Sequence, residues 1–172
     1  MDRQIHFKGS PLTLVGKPVQ KGAPAPGFNV TSQDLKEVTL SDFNGKVKII
    51  TSFPSLDTPV CDLQVKEFNK KAIGLSGDVA IVGISKDLPF AQARFCQDNE
   101  IKNISVVSDY KTSSFGMNYG LLIEEWNLLA RSVIIVDKKN IVRYIQIVDE
   151  ITKAPNYEDV LNNLKDVLKG VN

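Results

Sequence analysis

Lys46-Val-Lys-Ile-Ile-Thr-Ser-Phe53 and Asp78-Val-Ala-Ile-Val-Gly-Ile-Ser85 are two β-branched apolar runs, and the chain between them, residues 59 to 73, carries apolar residues at helical spacing. Continuous apolar strands with a helix between them are the pattern of a βαβ unit, in which both strands are buried on both faces and run parallel. The pattern therefore predicts an α/β chain.

Working outward, Leu88 to Asn99 reads as a second helix, with Asp87 as N-cap and Pro89 in the first turn. Ile104 to Val107 is a short strand. Ser132 to Asp137 and Ile141 to Val148 are predicted to pair antiparallel across Lys138-Lys139-Asn140. A last helix opens at the N-cap Asn156, places Tyr157, Leu161, Leu164 and Leu168 on one face and ends at Gly170. Upstream, Gln4 to Phe7 and Leu12 to Val15 read as a hairpin around Gly9-Ser10-Pro11, and residues 21 to 27 as a loop over the body. The order βαβα followed by ββα predicts a thioredoxin-like fold. It is expected as a single domain over residues 1–172, with residues 1–30 as an N-terminal hairpin and loop extension and an insertion between 110 and 131.

Composition narrows the function. The 172 residues include 21 basic and 20 acidic side chains, a net charge of +1, which provides no field for nucleic acid or an anionic membrane. No apolar run approaches the roughly 20 residues of a membrane span, and the first residues lack the apolar core of a secretory signal. A cytoplasmic location is expected. His6 is the only histidine and Cys61 and Cys96 are the only cysteines, which excludes a histidine-built metal site and a four-ligand zinc site. No cofactor is expected.

Phe53-Pro-Ser-Leu-Asp-Thr-Pro-Val-Cys61 joins the first buried strand to its helix. Asp57 or Thr58 can cap that helix and Pro59 suits its first position, so Cys61 falls in the first turn, where unpaired N–H groups and the helix dipole favour an anion. Cys61, Val65, Phe68 and Ala72 share the face turned to the core. Burial alone makes a thiol inert, so a reactive Cys61 needs a neighbouring cation. Arg131, next to the strand at Ser132, is the candidate. Without such a neighbour Cys61 is a small core residue, the common fate of a free cysteine.

Pro54, Thr58 and Cys61 stand in the order Pro-x-x-x-Thr-x-x-Cys, and by this motif the sequence resembles the peroxiredoxins. Asp57-Thr-Pro-Val-Cys-Asp62 and Asp87-Leu-Pro-Phe-Ala-Gln-Ala-Arg-Phe-Cys96 are similar to the two signatures of their bacterial thiol peroxidase branch, the atypical two-cysteine type. The resemblance spans nearly the whole chain. It implies that the Cys61 thiolate attacks a hydroperoxide to give a sulfenic acid, that Cys96 captures it as an intramolecular disulfide, and that thioredoxin reduces the product. It further implies that Thr58 hydrogen-bonds thiolate and peroxide, that Arg131 stabilises the developing charge, that Pro54 shields the pocket and that the chain forms a homodimer. Rival readings are a non-catalytic thioredoxin-like binding module, a disulfide oxidoreductase and a structural protein held by a Cys61–Cys96 bridge. The absence of a CxxC pair counts against the oxidoreductase. A cysteine hydrolase would need a histidine base, and His6 lies in the predicted hairpin.

Overall fold

The computed structural model describes residues 3–170. In chain order the elements are β1 (Arg3–Phe7), β2 (Ser10–Val15), β3 (Asn29–Thr31), β4 (Glu37–Thr39), β5 (Val47–Ser52), α1 (Pro59–Ala72), β6 (Val79–Ser85), α2 (Pro89–Asp98), β7 (Ser105–Ser108), α3 (Ser114–Tyr119), β8 (Leu122–Ile123), β9 (Leu128–Leu129), β10 (Ser132–Val136), β11 (Val142–Ile147) and α4 (Tyr157–Leu168). Seven strands form the main sheet in the order β11-β10-β5-β6-β7-β3-β4. Its centre is the expected βαβ unit: β5 runs parallel to β6 and β6 parallel to β7, while β10 and β11 add antiparallel at one edge. This is a thioredoxin-like α/β fold.

Alternation along the central strands assigns the layers. Ile49 and Phe53 of the β5 region, with Ile81, Val106, Val133 and Ile135, pack against Cys61, Val65 and Phe68 of α1, Cys96 of α2, and Val160 and Leu164 of α4. Ile50, Val82, Ile84, Val107, Ile134 and Val136 point the other way, onto Phe115 and Tyr119 of α3 and the N-terminal hairpin. Because both faces are covered, every residue of β5 is buried, which is why it reads as an unbroken apolar run. Even Lys48 is buried, its ammonium directed to the Asp137 carbonyl and the Asn140 side chain at the β10–β11 turn.

The hairpin and the insertion form one structure. β2 pairs with β8 through Leu14–Ile123 and Val15–Leu122, giving a second sheet in the order β1-β2-β8-β9. Strands of two residues leave no periodicity to read, and β8, β9 and the three-residue β3 and β4 were therefore not expected. β3 starts at Asn29 and joins the main sheet at Thr31–Ser108.

Two local expectations need correction. Asp87 does not cap α2: Leu88 holds the N-cap position with no side-chain bond, and the Asp87 carboxylate instead accepts from Ser55, Leu56 and Ser85. In α4, Leu168 lies 40% exposed and the buried positions are Val160 and Leu164. The helix begins and ends as the sequence indicates, with the Asn156 side chain accepting from the Asp159 N–H and Gly170 in a left-handed conformation at φ 75°.

Candidate active site

The site lies at the carboxyl end of β5, where the chain leaves the sheet through a buried Pro54 and enters α1. Thr58 is the N-cap. Its hydroxyl oxygen accepts from the Cys61 N–H at 3.4 Å, and the hydroxyl donates to the Ser55 carbonyl at 3.2 Å. With Pro59 opening the helix, Cys61 sits in the first turn as expected. The bond from Thr58 to the sulfur implied by the resemblance is not formed in this conformation. The threonine hydroxyl can donate to a ligand only by turning its proton away from Ser55.

Arg131 is brought to Cys61. Its Nη1 lies 3.2 Å from Cys61 Sγ and 2.9 Å from Gln64 Oε1, while Nε and Nη2 both donate to the Ile151 carbonyl, at 3.1 and 2.7 Å. Cys61 is 0% and Arg131 2% exposed. Among the described residues no carboxylate pairs with this guanidinium. A buried cation without a counter-charge is costly, and an ionised Cys61 supplies one. At this separation the attraction is on the order of a few kcal/mol, comparable to the cost of desolvating the ions.

The sequence did not single out the groups that hold this arrangement. Gln64, one turn after Cys61, is fully buried and donates to Thr51 Oγ1 at 2.6 Å and to the Ser52 carbonyl at 3.1 Å, so its oxygen is left facing Arg131. A polar residue on the core face of a helix was the available signal. Ile151 is fixed by the N-terminal hairpin: its N–H donates to the His6 carbonyl at 2.8 Å, and His6 N–H to the Asp149 carbonyl at 2.6 Å. Tyr157 carries a buried hydroxyl with no hydrogen-bond partner among the described residues. Burial foremost, then the charge of Glu67, pushes its phenol up to about 12, with Arg131 pulling the other way. It therefore remains a protonated donor near neutral pH.

Cys96 shares the apolar cluster of Cys61, and both are free thiols. Its polar surroundings differ. Burial pushes the Cys96 thiol up, and the Gln33 amide, 3.3 Å from Sγ, opposes that shift in part. Asp87 ties the two cysteine-bearing segments together. Its carboxylate accepts from Ser55 Oγ at 2.7 Å and Leu56 N–H at 2.9 Å ahead of α1, while its own backbone leads into α2.

A Redoxin family model matches residues 20–161. A thiol peroxidase from Bacillus subtilis is 47% identical over 96% of this chain and 99% of its own length, and one from Staphylococcus saprophyticus is 45% identical over 95% and 99%. The chain belongs to the thiol peroxidase family. A crystal structure of a peroxiredoxin-like protein from Aquifex aeolicus superposes with a TM-score of 0.90 at 41% identity, covering 97% of this chain and 98% of that one. The thiol peroxidase resemblance read from the two cysteine signatures thus extends through the hairpin and the insertion. No helix among the described residues is long and apolar enough to cross a membrane.

The guanidinium geometry yields a direct test. Arg131→Lys keeps a positive charge but cannot hold Ile151, Gln64 and the sulfur together, since an ammonium lacks the planar fork. The rate constant for oxidation of Cys61 by hydrogen peroxide, followed by stopped flow, is expected to fall by about a hundredfold, the scale seen when one preorganised donor is removed from a reacting anion. A rate within about twofold of the parent would show that charge alone suffices.

Proposed function

We propose that this chain reduces hydrogen peroxide and organic hydroperoxides through Cys61, and that Cys96 resolves the oxidised form. The observation that carries the reading is the 3.2 Å approach of Arg131 Nη1 to a cysteine in the first turn of α1. A thiolate there has a cation beside it and lies at the positive end of the helix dipole. The peroxide's terminal oxygen is attacked by Cys61 Sγ, the O–O bond breaks, and the departing oxygen leaves as water or an alcohol after taking up a proton. Arg131 faces both the sulfur and the charge spreading along the O–O bond, which favours the transition state over the ground state.

The product is a sulfenic acid on Cys61. Cys96 then condenses with it, forming an intramolecular disulfide that thioredoxin reduces. Pro54 closes the pocket at the strand end, and Thr58 supplies a hydroxyl that can turn towards the bound peroxide. Cytoplasmic residence and a homodimer belong to the same reading. A non-catalytic binding module gives no reason to bury an arginine beside a thiol with no paired carboxylate among the described residues.

Cys61→Ser is expected to abolish peroxide consumption, because a serine hydroxyl stays protonated and is a poor nucleophile. Cys96→Ser is expected to consume one equivalent of peroxide and then lose thioredoxin-linked turnover, with Cys61 proceeding to sulfinic acid under excess peroxide. Thioredoxin-coupled NADPH oxidation and intact-mass measurement read both; full turnover by either variant contradicts the cycle.

If the reduced form holds the cysteines apart, as the resemblance implies, the disulfide also requires motion, since Cα atoms must come within about 7 Å and each cysteine belongs to a helix. Helix ends have few internal bonds and open locally at low cost. Hydrogen exchange is expected to accelerate at residues 58–66 and 88–100 on oxidation, the two segments joined through Asp87. Identical protection in both redox states would mean either a preformed pair or no such disulfide.

A further inference from the structure

Gln33 is the one hydrogen-bond donor to Cys96 Sγ among the described residues. It lies in the turn between β3 and β4, a turn with no part in the sequence motifs. Ser32 N–H donates to the Lys36 carbonyl and Leu35 N–H to the Ser32 carbonyl, both at 2.9 Å, and the Ser32 hydroxyl oxygen accepts from Lys36 N–H at 3.0 Å. Leu35 adopts a left-handed conformation at φ 68° and points an apolar side chain, 51% exposed, away from the core. The chain accepts an unfavourable backbone angle at a non-glycine residue in a turn that delivers Gln33.

The orientation of the amide is determined by its second partner. Gln33 Nε2 also lies 3.3 Å from the Val106 carbonyl, which can only accept. The nitrogen must therefore face β7, and the same nitrogen presents its other hydrogen to the sulfur. An N–H directed at sulfur stabilises a thiolate more than a thiol. The charged side chains on the surrounding segments, Asp34, Lys36, Arg94, Asp98, Glu100 and Lys102, are all exposed. No helix N-terminus serves Cys96, which lies in the last turn of α2.

We propose that Gln33 activates Cys96 as the resolving nucleophile, with its side-chain amide N–H stabilising the Cys96 thiolate. This rests on the reading of Cys96 as the resolving cysteine. In that step Cys96 gives up its proton and its thiolate attacks the sulfur of the Cys61 sulfenic acid. The S–S bond forms as the S–O bond breaks, and the hydroxide leaves as water with a proton from solvent. Cys96 is oxidised and the Cys61 sulfur reduced. The amide acts while the thiolate forms in its packed position, before α2 loosens to complete the bond.

The test separates a donor from a strut. Gln33→Met keeps the length of the side chain without a donor, Gln33→Glu replaces the donor by a charge of the wrong sign, and Gln33→Lys restores a donor. After rapid oxidation of Cys61, disulfide formation followed by acid-quench mass spectrometry is expected to slow about tenfold in Gln33→Met, a charge-assisted hydrogen bond's worth. It is expected to slow further in Gln33→Glu and to recover in Gln33→Lys, while the first oxidation rate stays unchanged in all three. Equal slowing in all three variants, or parental rates in Met and Glu, overturns the proposal. In a Cys61→Ser background the thiolate absorbance of Cys96 at one mildly alkaline pH is expected to drop in Gln33→Met, a reading independent of turnover; unchanged absorbance also overturns it. If Cys96→Ser itself retains thioredoxin-linked turnover, the resolving role fails instead, while the absorbance still reports on the amide.

Discussion

A guanidinium buried beside a thiol, with no carboxylate among the described residues to neutralise it, is the constraint around which the molecule is organised. Arg131 is held on one side by two donations to the Ile151 carbonyl and on the other by Gln64, and the second N–H of Nη1 faces Cys61. Each holder is itself fixed. Gln64 is anchored to Thr51 and Ser52 at the end of β5, and Ser52 in turn donates to the Ala130 carbonyl, one residue before the arginine. The thiol and Gln64 thus sit in the first two turns of α1, Arg131 lies immediately before β10, and Ile151 lies in a turn tied to the N-terminal hairpin, so the cation is held from three sides and little reorganisation is needed as charge develops.

The N-terminal hairpin acquires a role from the same constraint. β1 fastens residues 149–151 by hydrogen bonds between His6, Asp149 and Ile151, and Gly9 N–H reaches the Glu150 carboxylate at 3.0 Å. The Glu150 carboxyl is held down at about 2, first through the Thr152 hydroxyl and then through the Thr152 and Gly9 N–H groups, so this stitch persists across the neutral range. The carbonyl that orients Arg131 is therefore placed by a segment far away in sequence. The hairpin is in turn supported by β8 of the insertion, so two segments outside the βαβ centre meet behind the site.

The sequence carried the central unit and the cysteine position clearly, because those depend on local signals. Strands buried on both faces read as apolar runs, and a proline after a threonine announces a helix start. It also offered Arg131, on the physical ground that a buried reactive thiol needs a cation. What it could not carry was long-range pairing: the Ile151 carbonyl has no side-chain signature, two-residue strands have no period, and Gln33 lies 63 positions from the sulfur it touches. Asp87 shows the opposite failure. A correct residue for a cap was present at the right place, but Ser55, Leu56 and Ser85 offered its carboxylate three donors, where a capping side chain usually accepts from a single first-turn N–H.

Electrostatics and exposure make opposite statements about the two thiols, and this separates the central claim from its simplest rival. Cys61 is 0% exposed and Cys96 7%, so accessibility alone places Cys96 first in any reaction with an alkylating agent. A cation and a helix N-terminus at Cys61, against a burial-raised thiol at Cys96, reverse the order. Competitive labelling of the reduced protein with substoichiometric iodoacetamide at neutral pH, mapped by peptide mass spectrometry, measures that order. Predominant modification of Cys61 is the expected result; predominant modification of Cys96 would show that Arg131 does not activate the thiol beside it.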